Sequence, residues 1–541
     1  MNGICYKTTR FILLLIAVGF FAGCEQQTKS QGTSTNLAPK IDLGPTIGSL
    51  AQVVGPQEVV VEGYGLVGGL PGTGSSQCPP QIRAYLKRYI STQLPDSRVD
   101  ADKLIDSDST AVVWLEAIIP PEVPQRHRFD VMVVALSGTQ TTSLEGGWLY
   151  TAELWPRGTF AVGKVVATAE GPVFIDTLST SEQNKRIGYV LGGGKAISEY
   201  IATVLLHKPD YRTAGAIRDK INERFGFGIA KAISPGQIEL NVPQHYRGQE
   251  LKFVEIIRAT YLGETPEFTK QRIKTFITKL AISDDKHDSE IALEAIGKES
   301  LSKLVVLLNS SDQQVCLIAA RCMLNLGSDR GLATLAKIAK DPNSPFRVEA
   351  LQALSISSNR TDVVEITTTL LSDRNLAVVI AAYEQLRKLN DPMITQEFIG
   401  RSFLIDHVPQ APRKAIFVAR SGQPRIVLFG APIYCHGDFL VQSKDGSITI
   451  DRRPGQENVS ITRKHPARST IIGPIITTLE LTDIIKTLCE EPAKIEQGRR
   501  RGLGVSYPEM IALVKQMCEK DIVTAEFWGG PLPRIASAVK K

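Results

Sequence analysis

The sequence predicts an α+β fold interrupted by an all-α repeat segment, and three observations carry that expectation. Residues 45–270 mix short β-rich runs with a few helical patterns. Residues 271–398 are helical throughout, with an internal period near 30 residues, and strand patterns return over residues 399–541. In the first region, residues 53–61, 111–119 and 131–136 are rich in β-branched residues, and residues 81–93 and 211–225 have helical spacing. Asp210 stands where a helix N-cap belongs, and Gly226 where a helix stops.

The repeats rest on one apolar frame used three times: Ile318, Ala320, Met323, Leu324; Val348, Ala350, Ala353, Leu354; and Ile380, Ala382, Gln385, Leu386. The closing leucines are 30 and 32 residues apart, and a fainter copy ends at Ile296. A polar turn precedes each frame: Ser310-Ser311-Asp312, Asp341-Pro342-Asn343 and Ser372-Asp373-Arg374. The pattern resembles a short HEAT-type solenoid, whose helix pairs must stack to bury their faces and commonly present a partner-binding surface. An unrelated helical bundle is the other reading. Beyond it, residues 415–419, 425–428, 446–450 and 459–462 read as strands, and residues 481–489 and 507–519 as helices before a tail with Gly and Pro.

The N-terminus has its own logic. Lys7 and Arg10 form a basic region, residues 11–21 an apolar stretch, and Phe21-Ala22-Gly23-Cys24 closes it with small residues before a cysteine. The stretch is too short to span a bilayer, which takes about 20 helical residues. It resembles a bacterial lipoprotein signal, which implies cleavage after residue 23 and lipid attachment at Cys24; an ordinary secretory signal is the alternative, and both export the chain. Glu25, where enterobacterial sorting uses Asp for inner-membrane retention, points to the outer membrane. Residues 24–44 read as a polar tether with an r.m.s. span of roughly 25 Å.

With 541 residues, about two to four domains are expected. Lys plus Arg number 62 and Asp plus Glu 56, a formal charge of +6, too mild at this size to indicate nucleic acid. After Cys5 and Cys24, six cysteines remain: Cys78, Cys316, Cys322, Cys435, Cys489 and Cys518. They have no metal-ligand spacing, and their pairing is not readable. Cys316 and Cys322 lie on a helical pattern as small buried residues.

Residues 63–74, GYGLVGGLPGTG, follow an apolar run and imitate two nucleotide motifs. A dinucleotide fold requires an immediate helix and a second strand within some thirty residues. Here Pro71 and Pro79-Pro80 precede the helix, and the next strand starts near Ala111. A phosphate loop requires a lysine where Ser75 stands; Leu191-Gly192-Gly193-Gly194-Lys195 has the lysine, but Tyr189 and Ala196 occupy the other required positions. No hydrolase motif is present, and the seven histidines are scattered singly. His436 beside Cys435 points to the opposite face if the segment is a strand. Arg499-Arg500-Arg501 reads as a solvated loop. No catalytic, cofactor or metal residue is therefore expected.

The same stretch, with Gly63, Tyr64, Gly65, Gly68, Gly69, Gly72 and Gly74, resembles the N-terminal signature G-Y-G-L-V-x-G-L-x-G-T-G of the bacterial flagellar P-ring protein family. Further similarities follow in family order: Arg128-Phe129-Asp130-Val131; Ser143-Leu144-Glu145-Gly146-Gly147-Trp148-Leu149; the triplet Gly192, Gly193, Gly194 after a strand; and Pro209-Asp210-Tyr211-Arg212-Thr213-Ala214. The likeness is strong over residues 55–265, weak over 410–530 and absent across the repeats. It implies P-ring-like α+β regions at 45–270 and 399–541, no enzyme activity, and a homo-oligomeric periplasmic ring. That ring would surround the flagellar rod, meet the L ring and associate with peptidoglycan. The glycines, with Pro71, suit tight backbone turns and close packing between strand and helix, since glycine alone takes positive φ without strain. The lipobox and the helical insertion depart from the family. They leave open a paralogue that scaffolds another envelope structure and recruits a partner through its repeats.

Overall fold

The computed structural model describes residues 42–93, 100–121, 128–179, 184–197, 202–263, 265–400, 402–464, 471–491 and 502–534. The export signal, Cys24 and the tether to residue 41 lie outside the described residues, as do Arg499-Arg500-Arg501, His127 and His465.

Thr46 caps the single turn α1 (Ile47–Leu50), which leads into β1 (Ala51–Val54). Pro56 has no N–H for a ladder, so the apolar run 53–61 breaks into two strands of different sheets. The second, β2 (Val59–Gly68), is followed by α2 (Pro80–Gln93), α3 (Ala101–Ile105), β3 (Ala111–Ile119), β4 (Arg128–Ala135), β5 (Trp148–Pro156), β6 (Ala167–Pro172) and β7 (Ile187–Ala196). Strands β2 to β7 form a closed antiparallel barrel in the order β2-β3-β4-β7-β6-β5. The chain then returns through β8 (Ala202–Leu206), α4 (Tyr211–Phe225), β9 (Ala230–Ser234), β10 (Gln237–Leu240) and α5 (Glu250–Ala259). Because β8 pairs with β1 in the sheet β1-β8-β10-β9, the whole barrel is spliced between two neighbouring strands. Asp210 caps α4 through the Thr213 amide at 2.8 Å, and Gly226 ends that helix, both as expected from sequence.

Six strands enclose little volume, so the barrel interior is filled by side chains rather than open. Val61, Val113, Leu115, Val131, Val133, Leu149 and Leu154 are buried there. Outside, Tyr85 and Leu86 of α2 cover Leu66, Val112 and Trp155, and Tyr85, Trp155 and Phe160 meet edge to face. Closing so small a barrel requires sharp bends in the strands, and these coincide with glycine. The β2–β5 register shifts between Glu62 and Val67, across Gly63 and Gly65. The β4–β7 register shifts beside Gly192 to Gly194. A Cβ on Gly65 would lie 2.9 Å from Leu149 Cδ1, and one on Gly63 would run into the Glu153 carbonyl.

A helical array follows the barrel and sheet: α6 (Pro266–Ile282), α7 (His287–Ile296), α8 (Leu301–Leu307), α9 (Gln313–Asn325), α10 (Leu332–Lys340), α11 (Arg347–Leu354), α12 (Arg360–Leu370) and α13 (Leu376–Lys388). The three apolar frames lie on α9, α11 and α13, and the faint copy on α7. Polar bridges recur between successive turns: Lys286 to Asp312 at 3.5 Å, Gln313 to Asp341 at 3.2 Å, and Arg347 to Asp373. Helix α6 runs unbroken through residue 270, so the first helix of this array starts at Pro266.

The C-terminal region holds β11 (Thr395–Ile399), β12 (Phe403–Val408), β13 (Ala415–Val418), β14 (Arg425–Phe429), β15 (Phe439–Gln442), β16 (Ile448–Arg452), β17 (Val459–Lys464), β18 (Ile471–Thr477), the helices α14 (Leu481–Cys489) and α15 (Tyr507–Glu519), and β19 (Glu526–Gly529). Strand β11 spans residue 398, and the tail with Gly and Pro contributes β19, paired in parallel with β13. The five-stranded sheet β11-β12-β14-β13-β19 is sandwiched. One face, through Phe417, Val427 and Phe429, shares a core with Leu351, Val379 and Tyr383 of the helical array. The other, through Ile416, Ile426 and Leu428, packs with α14, α15 and the meander β15-β16-β17-β18.

The barrel geometry separates two glycines of the same string. Gly63→Ala meets a backbone carbonyl that cannot yield and is expected to cost about 1–3 kcal/mol. At Gly68 the neighbour is the half-exposed Tyr150 ring, 2.5 Å from where a Cβ would stand, and that ring can swing away, so Gly68→Ala is expected to cost less. Urea unfolding followed by circular dichroism checks the order; equal losses would contradict it.

Candidate assembly site

The family-like glycines do not gather at one point. Strands β2 and β7 stand opposite each other in the barrel, so Gly63, Tyr64, Gly65 and Gly68 occupy one wall and Gly192, Gly193 and Gly194 the other. Tyr64 packs edge-on against Phe160, with ring centroids 4.9 Å apart. Gly69, Gly72 and Gly74 form the exit turn; the Gly74 amide donates to Asp108 O at 2.8 Å, and Gly69 and Gly72 have positive φ. Gly63, Gly65 and Gly68 are instead ladder residues packed closely against β5. The triplet likewise lies inside β7 rather than after a strand.

Gly192 has a further task. It sits at φ +58°, where a side chain is strained, and its amide donates to Asp130 Oδ1 at 2.7 Å. The same carboxylate accepts from the Gly422 amide, 2.9 Å from each oxygen. A Cβ at Gly192 would come within 3.2 Å of Gly422 O, so glycine also permits this close approach. Burial pushes the Asp130 carboxyl up, and the two amides oppose the shift. Asp130, within a motif read from sequence but not singled out there, thus joins the barrel to the loop between β13 and β14. Asp176 pairs with Arg420 at 3.2 Å, Thr177 donates to Pro508 O at 3.2 Å, and Phe174 packs beside Tyr507. Tyr507 in turn lies 2.7 Å from the carbonyls of Ala419 and Arg425. The barrel and the C-terminal sheet are one joined body at this seam.

Little in this arrangement resembles a reaction centre. Lys195 is exposed on β7, and the amides around the glycine triplet are engaged within the barrel, so no phosphate cradle forms. Cys435 is buried and His436 exposed, although the segment makes only an isolated bridge and is not a strand. All six described cysteines are free thiols. Burial pushes Cys435 and Cys518 up to about 12, and Cys322 and Cys489 well above the ordinary range, which disfavours the nucleophilic thiolate.

Among the described residues, one set of side chains has metal-ligand chemistry: Glu290, Glu294 and Cys322 offer donor atoms within 4.8 Å of one another, all buried. Cations of the protein already occupy it. Lys252 Nζ is 2.9 Å from Glu294, Arg321 grips Glu290 with Nε at 2.7 Å and Nη2 at 2.6 Å, and Asn325 donates to Glu294 at 2.8 Å. The network ties α5 to α7 and α9, and Arg224 of α4 adds bonds to the Glu294 and Ala295 carbonyls. Its carboxylates are matched in charge, so we read it as a structural weld where the sheet domain meets the helical array.

Lys252→Met should expose that balance. Leaving Glu294 without its ammonium is expected to cost about 3–5 kcal/mol. Burial already raises the Glu294 pKa, so the folded state holds this proton more tightly than the unfolded state. Stability of the variant should therefore recover as pH falls below neutrality and worsen as it rises. Adding Glu294→Gln should restore much of the loss; denaturation midpoints across pH measure both effects.

The comparisons with known proteins bear on the N-terminal half of this architecture. A family model described as "Flagellar P-ring protein" matches residues 46–273. The flagellar P-ring protein of Geobacter metallireducens is 32% identical over 235 residues, covering 40% of this chain and 61% of the relative. That of Thermotoga maritima is 32% identical over 211 residues, 36% and 60% of the two chains. That of Geotalea uraniireducens is 26% identical over 343 residues, 59% of this chain and 89% of the relative. The chain thus spans about three fifths of the length of the first two relatives. Residues 46–273, which contain the barrel, the four-stranded sheet and α4 and α5, are the part of the chain that the flagellar P-ring protein family model matches.

Proposed function

We propose that the protein is a structural subunit of a flagellar basal-body P ring, a periplasmic bushing around the distal rod. The observation that carries this reading is the family match over residues 46–273, together with the seam that makes the matched barrel and the C-terminal sheet one rigid building block. Ring formation from identical copies requires rigid subunits with two complementary faces, and buried cores on both sides of the seam supply the rigidity. In this reading the partners are further copies of the chain, rod and L-ring proteins and peptidoglycan. The chain carries out no catalysis. It is anchored by lipid on Cys24, in the periplasm at the outer membrane. None of the described helices is long and apolar enough to cross a membrane.

A second reading is favoured by a specific observation: the family match ends at residue 273, and helices α7 to α13 follow it. On that account the protein is a non-flagellar envelope scaffold, recruiting a partner through its helical array. Electron microscopy of the detergent-purified protein should show closed rings, and monomers under every condition tried would count against the ring. Cys24→Ser should move the protein from the membrane fraction to the soluble periplasm; unchanged membrane retention would refute the anchor.

A further inference from the structure

A groove of about 1480 Å³ opens where the family domain meets the helical array. Its walls are the end of α4 with the His245-Tyr246 turn, the outer face of α6, and the segment from Gly297 to Lys303 that enters α8. Seven Lys or Arg line it against two Glu, so most of the chain's small positive excess has a counterpart in this one place. Three of these cations have structural duties: Arg224 holds the α7 carbonyls, Arg272 donates to Gly263 O at 2.9 Å over the Tyr261 ring, and Lys220 pairs with Glu223 at 2.9 Å. The other four, Lys270, Lys274, Lys298 and Lys303, are exposed, and none takes part in an ion pair among the described residues. Lys270 and Lys274 are one helical turn apart on α6, with Lys298 and Lys303 on the facing wall. Phe225, Ile273, Ile277 and Leu326 line the same groove and give it an apolar floor.

We propose that this groove is the docking site for an acidic amphipathic peptide segment of a partner protein, bound as a helix with its apolar face down. Size argues for a peptide, because small-molecule sites are about 300–1,000 Å³. Charge selects an acidic one, since four exposed lysines that make no ion pair among the described residues attract carboxylates. The floor selects side chains: a bare anionic polymer has nothing to place against Phe225, Ile277 and Leu326, whereas a helix with apolar residues at i, i+3, i+4 and i+7 does. Recruitment by the helical array thereby gains a place and a chemistry. Docking here and ring formation are read by separate experiments, so failure of one leaves the other standing.

The test uses the full-length protein in detergent and fluorescence anisotropy of three labelled probes. The first is a helical peptide of about 18 residues with Leu on one face and Glu on the other. The second replaces Glu by Lys, and the third is polyglutamate of equal charge. The acidic amphipathic probe should bind saturably and weaken with added salt. The double substitution Lys270→Glu with Lys274→Glu, on an exposed helix face, should weaken it by about tenfold or more. That variant should also gain affinity for the Lys probe, a reversal that a misfolded protein does not produce. Ile277→Ser should weaken the acidic probe with no change in salt dependence. Absence of saturable binding, equal binding of the Lys probe to the unaltered protein, or indifference to the charge reversal would each overturn the proposal. Polyglutamate binding as tightly as the amphipathic probe would overturn it in favour of an anionic-polymer site.

Discussion

Closing a barrel with only six strands sets the terms for everything packed around it. With so few strands the wall must bend sharply, and each bend brings backbone against backbone at distances that exclude a Cβ. The chain meets this demand on opposite walls, with Gly63 and Gly65 in β2 and Gly192 to Gly194 in β7. Closure also leaves no open edge in the barrel, so new contacts must be made through loops and outer surfaces. The bend at Gly192 shows how: it lets Asp130 reach both the barrel amide and the amide of Gly422. One backbone irregularity thus closes a strand and fastens a second domain.

The helical array is held at both ends. At its start, Lys252 and Arg321 neutralise Glu290 and Glu294 between α5, α7 and α9. At its finish, α11 and α13 share an apolar core with the five-stranded sheet, and Tyr383 donates to the buried Asp406 of β12. An array tied in this way is part of the body rather than a pendant module. Its groove is lined by elements of two regions, α4 of the sheet domain and α6, α8 and α9 of the array.

Much of this was legible in the sequence, for reasons particular to each element. The repeated frames mark α9, α11 and α13 because a helix buried along one stripe repeats its apolar residues at fixed spacing. Asp210 and Gly226 mark the ends of α4 by local chemistry alone. The glycine string carries the likeness to the flagellar P-ring family but misleads about its own conformation: glycine is the residue of turns, and only strand pairing from distant β3 and β5 makes Gly63 and Gly65 ladder residues. The split at Pro56 and the final strand β19 depend on partners far along the chain, which periodicity does not report. The charged weld left one trace, Arg321 in the middle of an otherwise apolar helix and Glu290 with Glu294 a turn apart in another. Such charges inside apolar runs signal buried pairing, although the sequence does not say with what.

The glycine-rich strands are closed, hydrogen-bonded barrel wall and not ligand-binding loops, and amide hydrogen exchange over β2, β7 and the Gly422 loop gives the sharpest check of that assignment. Residues 63–68 and 190–194 are expected to exchange as slowly as the barrel core, with the Gly422 amide protected alongside them. Added ATP, NAD or phosphate should leave these rates unchanged. Fast exchange at Gly63 or Gly193, slowed on adding a nucleotide, would contradict it.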